Sequence, residues 1–235
     1  MSYLVNPFRA PLTDPSIGNV VLLCGFDSSI VDEIASPHTL TTVGNAARST
    51  SVTKFGAGSL VMDGSGDRVT AANSADWSFG SGDFTVEGWF RFLVKQNNQA
   101  LLGMWDNAGS AANSAWYFWI TGGRLDFRVL NAAATTFDVQ ATFVPTLSQW
   151  YHLAVTKGAG NRIDVWADGT SIANGTPVTT SVHASTAKLV IGAVGDTGNF
   201  SANDFNGNMD EIRITKGGAR YTSNFTPPTA PFPRT

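Results

Sequence analysis

The segment Met209-Asp210-Glu211-Ile212-Arg213-Ile214 constrains the rest of the chain most. Apolar Ile212 and Ile214 alternate with charged Glu211 and Arg213, the period of a strand with one buried and one polar face. Strict alternation places Asp210 on the side of the two isoleucines. A carboxylate at the lip of a core needs a partner, because burying it unpaired is very costly. Arg213 points the other way, so the pattern predicts a bound cation or a set of backbone N–H groups at Asp210.

Other segments read as strands gathered around this one. Phe84-Thr85-Val86-Glu87-Gly88-Trp89-Phe90-Arg91-Phe92 alternates most clearly, with Phe84, Val86, Phe90 and Phe92 on one face. Val20 to Phe26 is apolar on both faces and therefore central. Leu40–Val43, Ser59–Met62, Leu101–Trp105, Trp116–Ile120, Arg124–Val129, Trp150–Thr156, Arg162–Trp166 and Lys188–Ile191 complete the set. Gly122-Gly123 and Asp168-Gly169 are two-residue hairpin signals. Asp63-Gly64-Ser65-Gly66-Asp67 resembles half of a calcium loop, but further ligands at the required spacing are missing, and a tight hairpin turn is the better reading. No amphipathic pattern of helix length occurs. Many short strands with regular turn signals predict an all-β, two-sheet antiparallel sandwich.

Composition agrees with that class. Of 235 residues, 43% are hydrophobic, only 14% are charged and 24 are glycine, which suits short strands, tight turns and a Ser/Thr/Asn surface. A net charge of −3 without a Lys/Arg cluster excludes a nucleic-acid binder. Cys24 is alone, so neither a disulfide framework nor a paired-cysteine zinc site is available. No stretch approaches the ~20 apolar residues of a membrane-spanning helix, and no signal peptide precedes Val20, so a soluble product made in the cytoplasm is expected.

The candidate chemistry is sparse. Glutamate occurs only as Glu33, Glu87 and Glu211, on three separate segments, so the paired carboxylates of a glycosidase are not expected. With Arg91 and Arg213 on the faces of Glu87 and Glu211, a cross-strand ion-pair lattice fits better. His38, His152 and His183 match no ligand spacing, and His152 reads as a hydrogen-bonded structural residue. Asp27 ends the first strand and Asp210 lies in the last. If those strands neighbour each other, the two carboxylates could share one ion, and hard oxygen ligands without clustered His or Cys select Ca²⁺ over zinc. Among seven tryptophans, Trp77 and Trp105 border loops, where each either stacks on a sugar ring or staples its loop.

The two ends stand apart. Residues 1–18 carry Pro7, Pro11 and Pro15 and form an extended arm, whose Tyr3, Leu4, Val5 and Phe8 are expected to dock on a partner subunit. Residues 216–235 carry Pro227, Pro228, Pro231 and Pro233 and cannot join a central strand.

Four motifs in order carry a resemblance: Phe84 to Phe90, Trp150 to Thr156, Val165-Trp166-Ala167-Asp168-Gly169, and Asn206 to Ile214. Over about residues 19–215 the chain resembles the laminin-G-like branch of the concanavalin A-like lectin/glucanase superfamily. The run Thr215 to Tyr221, then Phe225-Thr226-Pro227-Pro228, is similar to the version in tailed-bacteriophage structural proteins. The resemblance implies a jelly roll of two curved sheets and a structural Ca²⁺ at Asp27 and Asp210. It also implies a tail, 216–235, that packs on the domain. The expected role is a virion structural protein, a capsid decoration or tail-attached subunit among other virion proteins, with self-association open. The alternative is a module that binds glycans on a host surface. Fold alone implies no activity.

Overall fold

The computed structural model describes residues 14–95, 98–106, 111–173, 175, 181–195 and 203–235. In chain order the strands are β1 (Val20–Cys24), β2 (Leu40–Val43), β3 (Ala47–Ser49), β4 (Ser59–Asp63), β5 (Arg68–Ala71), β6 (Phe84–Phe92), β7 (Asn98–Trp105) and β8 (Ser114–Thr121). They continue as β9 (Arg124–Leu130), β10 (Thr136–Thr142), β11 (Trp150–Lys157), β12 (Ile163–Ala167), β13 (Thr170–Ala173), β14 (Leu189–Ile191) and β15 (Asn206–Lys216). All pair antiparallel in two sheets. One is eight-stranded, ordered β13-β12-β11-β6-β15-β4-β3 with β1 also on β15; the other is seven-stranded, ordered β10-β9-β8-β7-β14-β5-β2.

The core lies between the sheets and is built by alternation. Phe84, Val86, Phe90 and Phe92 of β6 are all fully buried against the inner residues of the seven-stranded sheet. Phe90 meets Phe118 edge-on, with ring centroids 6.5 Å apart, and Phe84 meets Phe127 at 5.7 Å. Each such ring removed from water contributes about 2 kcal/mol. The expected hairpins form: Gly122 and Gly123 have φ of +54° and +76°, and Asp168 and Gly169 have +46° and +76°.

Two local expectations are corrected. The Asp63–Asp67 segment is not a hairpin, because β4 and β5 belong to different sheets and the turn carries the chain between them. Asp67 accepts from the backbone N–H groups of Asp63 and Asn45, and Asp204 accepts from that of Gly66 at 2.7 Å. In β15, strict alternation fails at a bulge. Asp210 pairs with Trp89 and Arg213 with Glu87, so Glu211 and Ile212 together oppose Gly88. Glu211 takes the left-handed conformation, φ +50°. A Cβ on Gly88 would sit 2.5 Å from Ile212 Cδ1, so glycine here lets the bulged isoleucine pack without shifting. Met209, Ile212 and Ile214 join the core, and Asp210 turns to the opposite face with Trp89 and Arg213.

That opposite face of the eight-stranded sheet is covered by the chain's own C-terminal segment. Tyr221 and Phe225 stack at 3.5 Å, and both rings meet His152 and Trp166 edge-on. Phe232 is buried beneath the Arg213 guanidinium, 3.7 Å from its ring centre. Residues 217–235 thus act as a strap.

Candidate ligand-binding face

Among the described residues polar side chains come together at several places, three of them on the sheet faces and edges. The first is the junction where β1 and β4 abut along one edge of β15: β1 pairs with residues 212–215 and β4 with 206–209. The backbone between two abutting strands has no ladder partner, and side chains supply it. Asp210 Oδ2 accepts from the N–H groups of Lys54 and Phe55 at 2.9 and 3.1 Å, and its Oδ1 accepts from Glu211 N–H at 2.9 Å. Asp27 Oδ1 accepts from Ala57 N–H at 2.5 Å. Both predicted metal ligands therefore close on one loop, 54–57, from neighbouring strands. Arg48 donates Nε to the Phe26 carbonyl at 2.7 Å and Nη2 to those of Asp27 and Ala57.

This donor set does not fit Ca²⁺. Three of the four carboxylate oxygens already accept from backbone N–H groups, whose positive ends would face a cation placed there, and three converging carbonyls hold a guanidinium. Among the described residues no cluster of three or more His, Cys, Asp or Glu side chains could hold a metal. Burial pushes the Asp210 carboxyl up to about 7, with Glu211 adding to it and the backbone N–H groups of Phe55 and Lys54 opposing.

The second place lies under the strap. Glu87, fully buried on β6, receives Arg213 Nη2 at 2.8 Å, His152 Nε2 at 3.1 Å and the Tyr221 hydroxyl at 2.7 Å. Asp14 takes Arg213 at 3.2 Å and Arg220 at 2.8 Å. Although burial opposes it, Arg213, His152 and Tyr221 hold the Glu87 carboxyl down at about 2. Of the lattice expected among Glu87, Glu211, Arg91 and Arg213, the Glu87–Arg213 pair forms, whereas Arg91 donates to the Ser148 carbonyl and Asn208 Oδ1; His152 is hydrogen-bonded to Glu87. Glu211 pairs with Arg234 at 2.8 Å, and Glu33 with the same arginine at 2.8 Å. Beside the strap a cleft of about 360 Å³ is lined by Arg162, Asp164, Trp166, Ser171, Tyr221 and Asn224, but both its aromatic rings are committed to Phe225.

The third place is the outer face of the seven-stranded sheet. Tyr117 and Trp119 on β8, Asp126 and Arg128 on β9, and Asp138 and Gln140 on β10 share it, with Trp119 paired to Asp126 and Arg128 to Asp138. Gly103 on β7 opposes Tyr117; a Cβ there would sit 2.9 Å from the tyrosine ring, so glycine lets that ring lie across β7. Trp105, Tyr117 and Trp119 form an aromatic strip with Ala100 and Val194, and Trp105 and Trp119 are half-buried. Trp119 Nε1 donates to Asp126 Oδ2 at 3.1 Å. Asp126 Oδ1 and the Tyr117 hydroxyl are buried and have no hydrogen-bond partner among the described residues. Burial, aided by Asp138, pushes the Asp126 carboxyl up to about 7 against Trp119, Arg128 and Arg124.

The predicted site residues scatter accordingly. Trp105 belongs to the strip. Trp77 does not: it is fully buried, donates Nε1 to the Ala72 carbonyl at 3.0 Å and packs on His38, so it staples its loop and offers no ring to a ligand. Tyr3, Leu4, Val5 and Phe8 lie outside the described residues. Trp119, Tyr117 and Asp126 were not singled out by sequence. Outward phase on β8 and β9 was the available signal, since Trp116, Phe118 and Ile120 fill the inward phase.

Residues 63–218 match the laminin G-type profile described as concanavalin A-like lectin/glucanases superfamily. Among solved structures the chain is similar to the binding domain of Paraclostridial Mosquitocidal Protein 1, at 15% identity and TM-score 0.70, over 87% of this chain and 50% of that one. It is also similar to the botulinum neurotoxin serotype G binding domain, at 13% identity and TM-score 0.66, over 86% and 49%. A third is the botulinum neurotoxin serotype D ligand binding domain in complex with N-acetylneuraminic acid, at 12% identity and TM-score 0.66, over 86% and 49%. The chain spans about half the length of each of these proteins, and at such identities the likeness is one of fold. No curated protein matches it.

Proposed function

This chain belongs to the concanavalin A-like lectin/glucanases superfamily, and on that premise we propose that it is a carbohydrate-binding module whose ligand lies on the Trp105–Tyr117–Trp119 strip. The observation that carries the reading is the pairing of a half-buried indole, Trp119, with two buried oxygens that no group among the described residues satisfies, Asp126 Oδ1 and the Tyr117 hydroxyl. Buried polar atoms need partners. A pyranose offers an apolar C–H face to an indole and hydroxyls to a carboxyl and a phenol, which is the mixture this strip presents. The toxin binding domains of the same fold support the reading by analogy alone.

A glycan array probed with the parent and with Trp119→Ala tests it. Loss of the parent's signals in a variant that melts within a few degrees of it supports the proposal. Silence on the array, or signals indifferent to the substitution, sinks it.

A second reading is compatible with the first. The sequence from Thr215 to Pro228 resembles phage structural proteins, and in the structure that run straps the sheet opposite the aromatic strip. A virion decoration or tail-attached subunit, held to other virion proteins on its strapped side and presenting the strip outward, accommodates both. Its test is recovery of the chain in purified particles.

A further inference from the structure

A sheet edge is a row of unpaired N–H and C=O groups, and most edges described here are short or sealed. β3 has three residues and β2 four. On β1 the Leu23 N–H donates to Asp32 Oδ1 at 3.1 Å, and the Leu23 carbonyl accepts from the Glu33 N–H at 2.7 Å. β13 has four residues, and the strap closes on it: Ser171 N–H donates to Asn224 Oδ1 at 3.0 Å and Phe225 N–H to the Gly169 carbonyl at 2.9 Å. β10 differs. It runs seven residues at the end of its sheet, without proline, lysine or a bulge.

The register shows which of its groups face outward. The Thr135 carbonyl accepts from Asn131 and the Phe143 N–H donates to Gly123, both towards β9, and the pairing between them is unbroken. Backbone direction alternates along an antiparallel strand, so the odd-numbered residues bond to β9. The N–H and C=O groups of Thr136, Asp138, Gln140 and Thr142 then point to the open edge. All four residues are exposed, and no described group bonds that backbone.

A second copy of the strand fits this edge antiparallel, centred on Val139. Thr136 then faces Thr142 of the other copy and Asp138 faces its Gln140, pairs that suit neighbouring strands. Gln140 accepts from Arg124 through Oε1, which leaves its amide N–H groups for the facing carboxylate. On the inner face half-buried Phe137 meets half-buried Ala141, large against small, and pairing covers both. A centre at Asp138 would set that carboxylate against its own copy, and a centre at Gln140 would shorten the overlap.

We infer that β10 is a self-pairing edge through which two copies of this chain join their seven-stranded sheets into one. The inference stands apart from the carbohydrate reading and has one consequence for it. The twofold axis keeps both outer faces on one side, with the two Trp119 residues five strand spacings, about 24 Å, apart.

Light scattering of the full chain from micromolar to millimolar concentration tests it, on the parent, Gln140→Asp, Gln140→Lys and Gln140→Pro. Position 140 is exposed and its N–H lies outside the β9 ladder, so each variant should melt within a few degrees of the parent. The parent should pass from the mass of one chain to that of two. Gln140→Asp sets carboxylate against carboxylate twice and should raise the midpoint concentration about tenfold or more. Gln140→Lys should lower the midpoint, and Gln140→Pro, lacking an edge donor, should abolish the dimer. A parent that stays monomeric throughout overturns the inference. So does a dimer indifferent to all three substitutions, which would place its contact on another surface.

Discussion

The Tyr221 hydroxyl donates a 2.7 Å hydrogen bond to Glu87, fastening the C-terminal strap to the middle of the eight-stranded sheet. A hydrogen bond to a buried charge contributes about 1.5–3 kcal/mol. Tyr221→Phe should therefore destabilise the protein by about 2 kcal/mol. Glu87→Gln should cost more, about 3 kcal/mol or above, because it leaves the nearly buried Arg213 with Asp14 as its remaining carboxylate. Urea midpoints for the two variants check the order; equal or negligible losses contradict it.

Stability should peak in mildly acid solution. Folding raises the Asp126 and Asp210 carboxyls to about 7, so between pH 8 and 5 the folded chain takes up protons that the unfolded chain does not yet bind. Stability then increases as pH falls through that window. Glu87 works in the other sense: its carboxyl is held at about 2, so its contribution is complete above about 4.5 and is lost as pH drops towards 2. The melting temperature should rise from pH 8 to about 5 and fall below 4. Asp126→Asn should flatten the first limb. A melting temperature that falls steadily from pH 8 to 5 refutes the assignment.

The Asp210 site is expected to behave as a backbone clamp. Asp210→Ala orphans three N–H groups, those of Lys54, Phe55 and Glu211, and should cost about 3 kcal/mol. Chelator should leave the parent's melting temperature in place. A chelator-induced drop restored by Ca²⁺ is the result that would reinstate a metal at Asp27 and Asp210.

How far the sequence reached is visible at this same strand. Alternation located β15, β6 and β11 and the inward residues of β6, because period-two burial depends on near neighbours alone. The demand that Asp210 find a partner was also legible, and backbone N–H groups were one of its two forecast answers. Its face was not, since the bulge shows only in the pairing with β6, where Ile212 packs over Gly88 of another strand. Short strands β3 and β5 and the edge strand β10 were missed: Ala47–Ser49 is too brief for a period, and the polar, exposed positions of Thr136–Thr142 mute the apolar signal. Trp119 was legible as a strand residue, but its role depends on which oxygens of β8 and β9 lack partners, a property of side-chain geometry.

Truncation should separate arm from domain near Asp14. This residue is buried and pairs with Arg213 and Arg220. Deleting residues 1–12 should leave the melting temperature nearly unchanged, whereas deleting 1–16 should lower stability by about 2 kcal/mol. If the shorter deletion also stops the protein joining particles or oligomers, Tyr3, Leu4, Val5 and Phe8 act as docking residues; incorporation at the parental level removes that role.

Hydrolysis is not expected. Glu87 is enclosed by Arg213, His152 and Tyr221, and Glu211 and Glu33 share Arg234. Turnover of a common β-glucan that Glu87→Gln abolishes would contradict this.

The Asp14 N–H donates to the Thr235 carbonyl at 3.2 Å, so both ends of the described chain meet at one point on the strapped side. Whatever is joined before Asp14 and after Thr235 leaves from a single spot, like two tethers tied to one ring. The aromatic strip lies across the sandwich, two sheets about 10 Å apart plus their outer side chains away. A fusion at either end therefore leaves on the strapped side, across the sandwich from the Trp105–Tyr117–Trp119 strip.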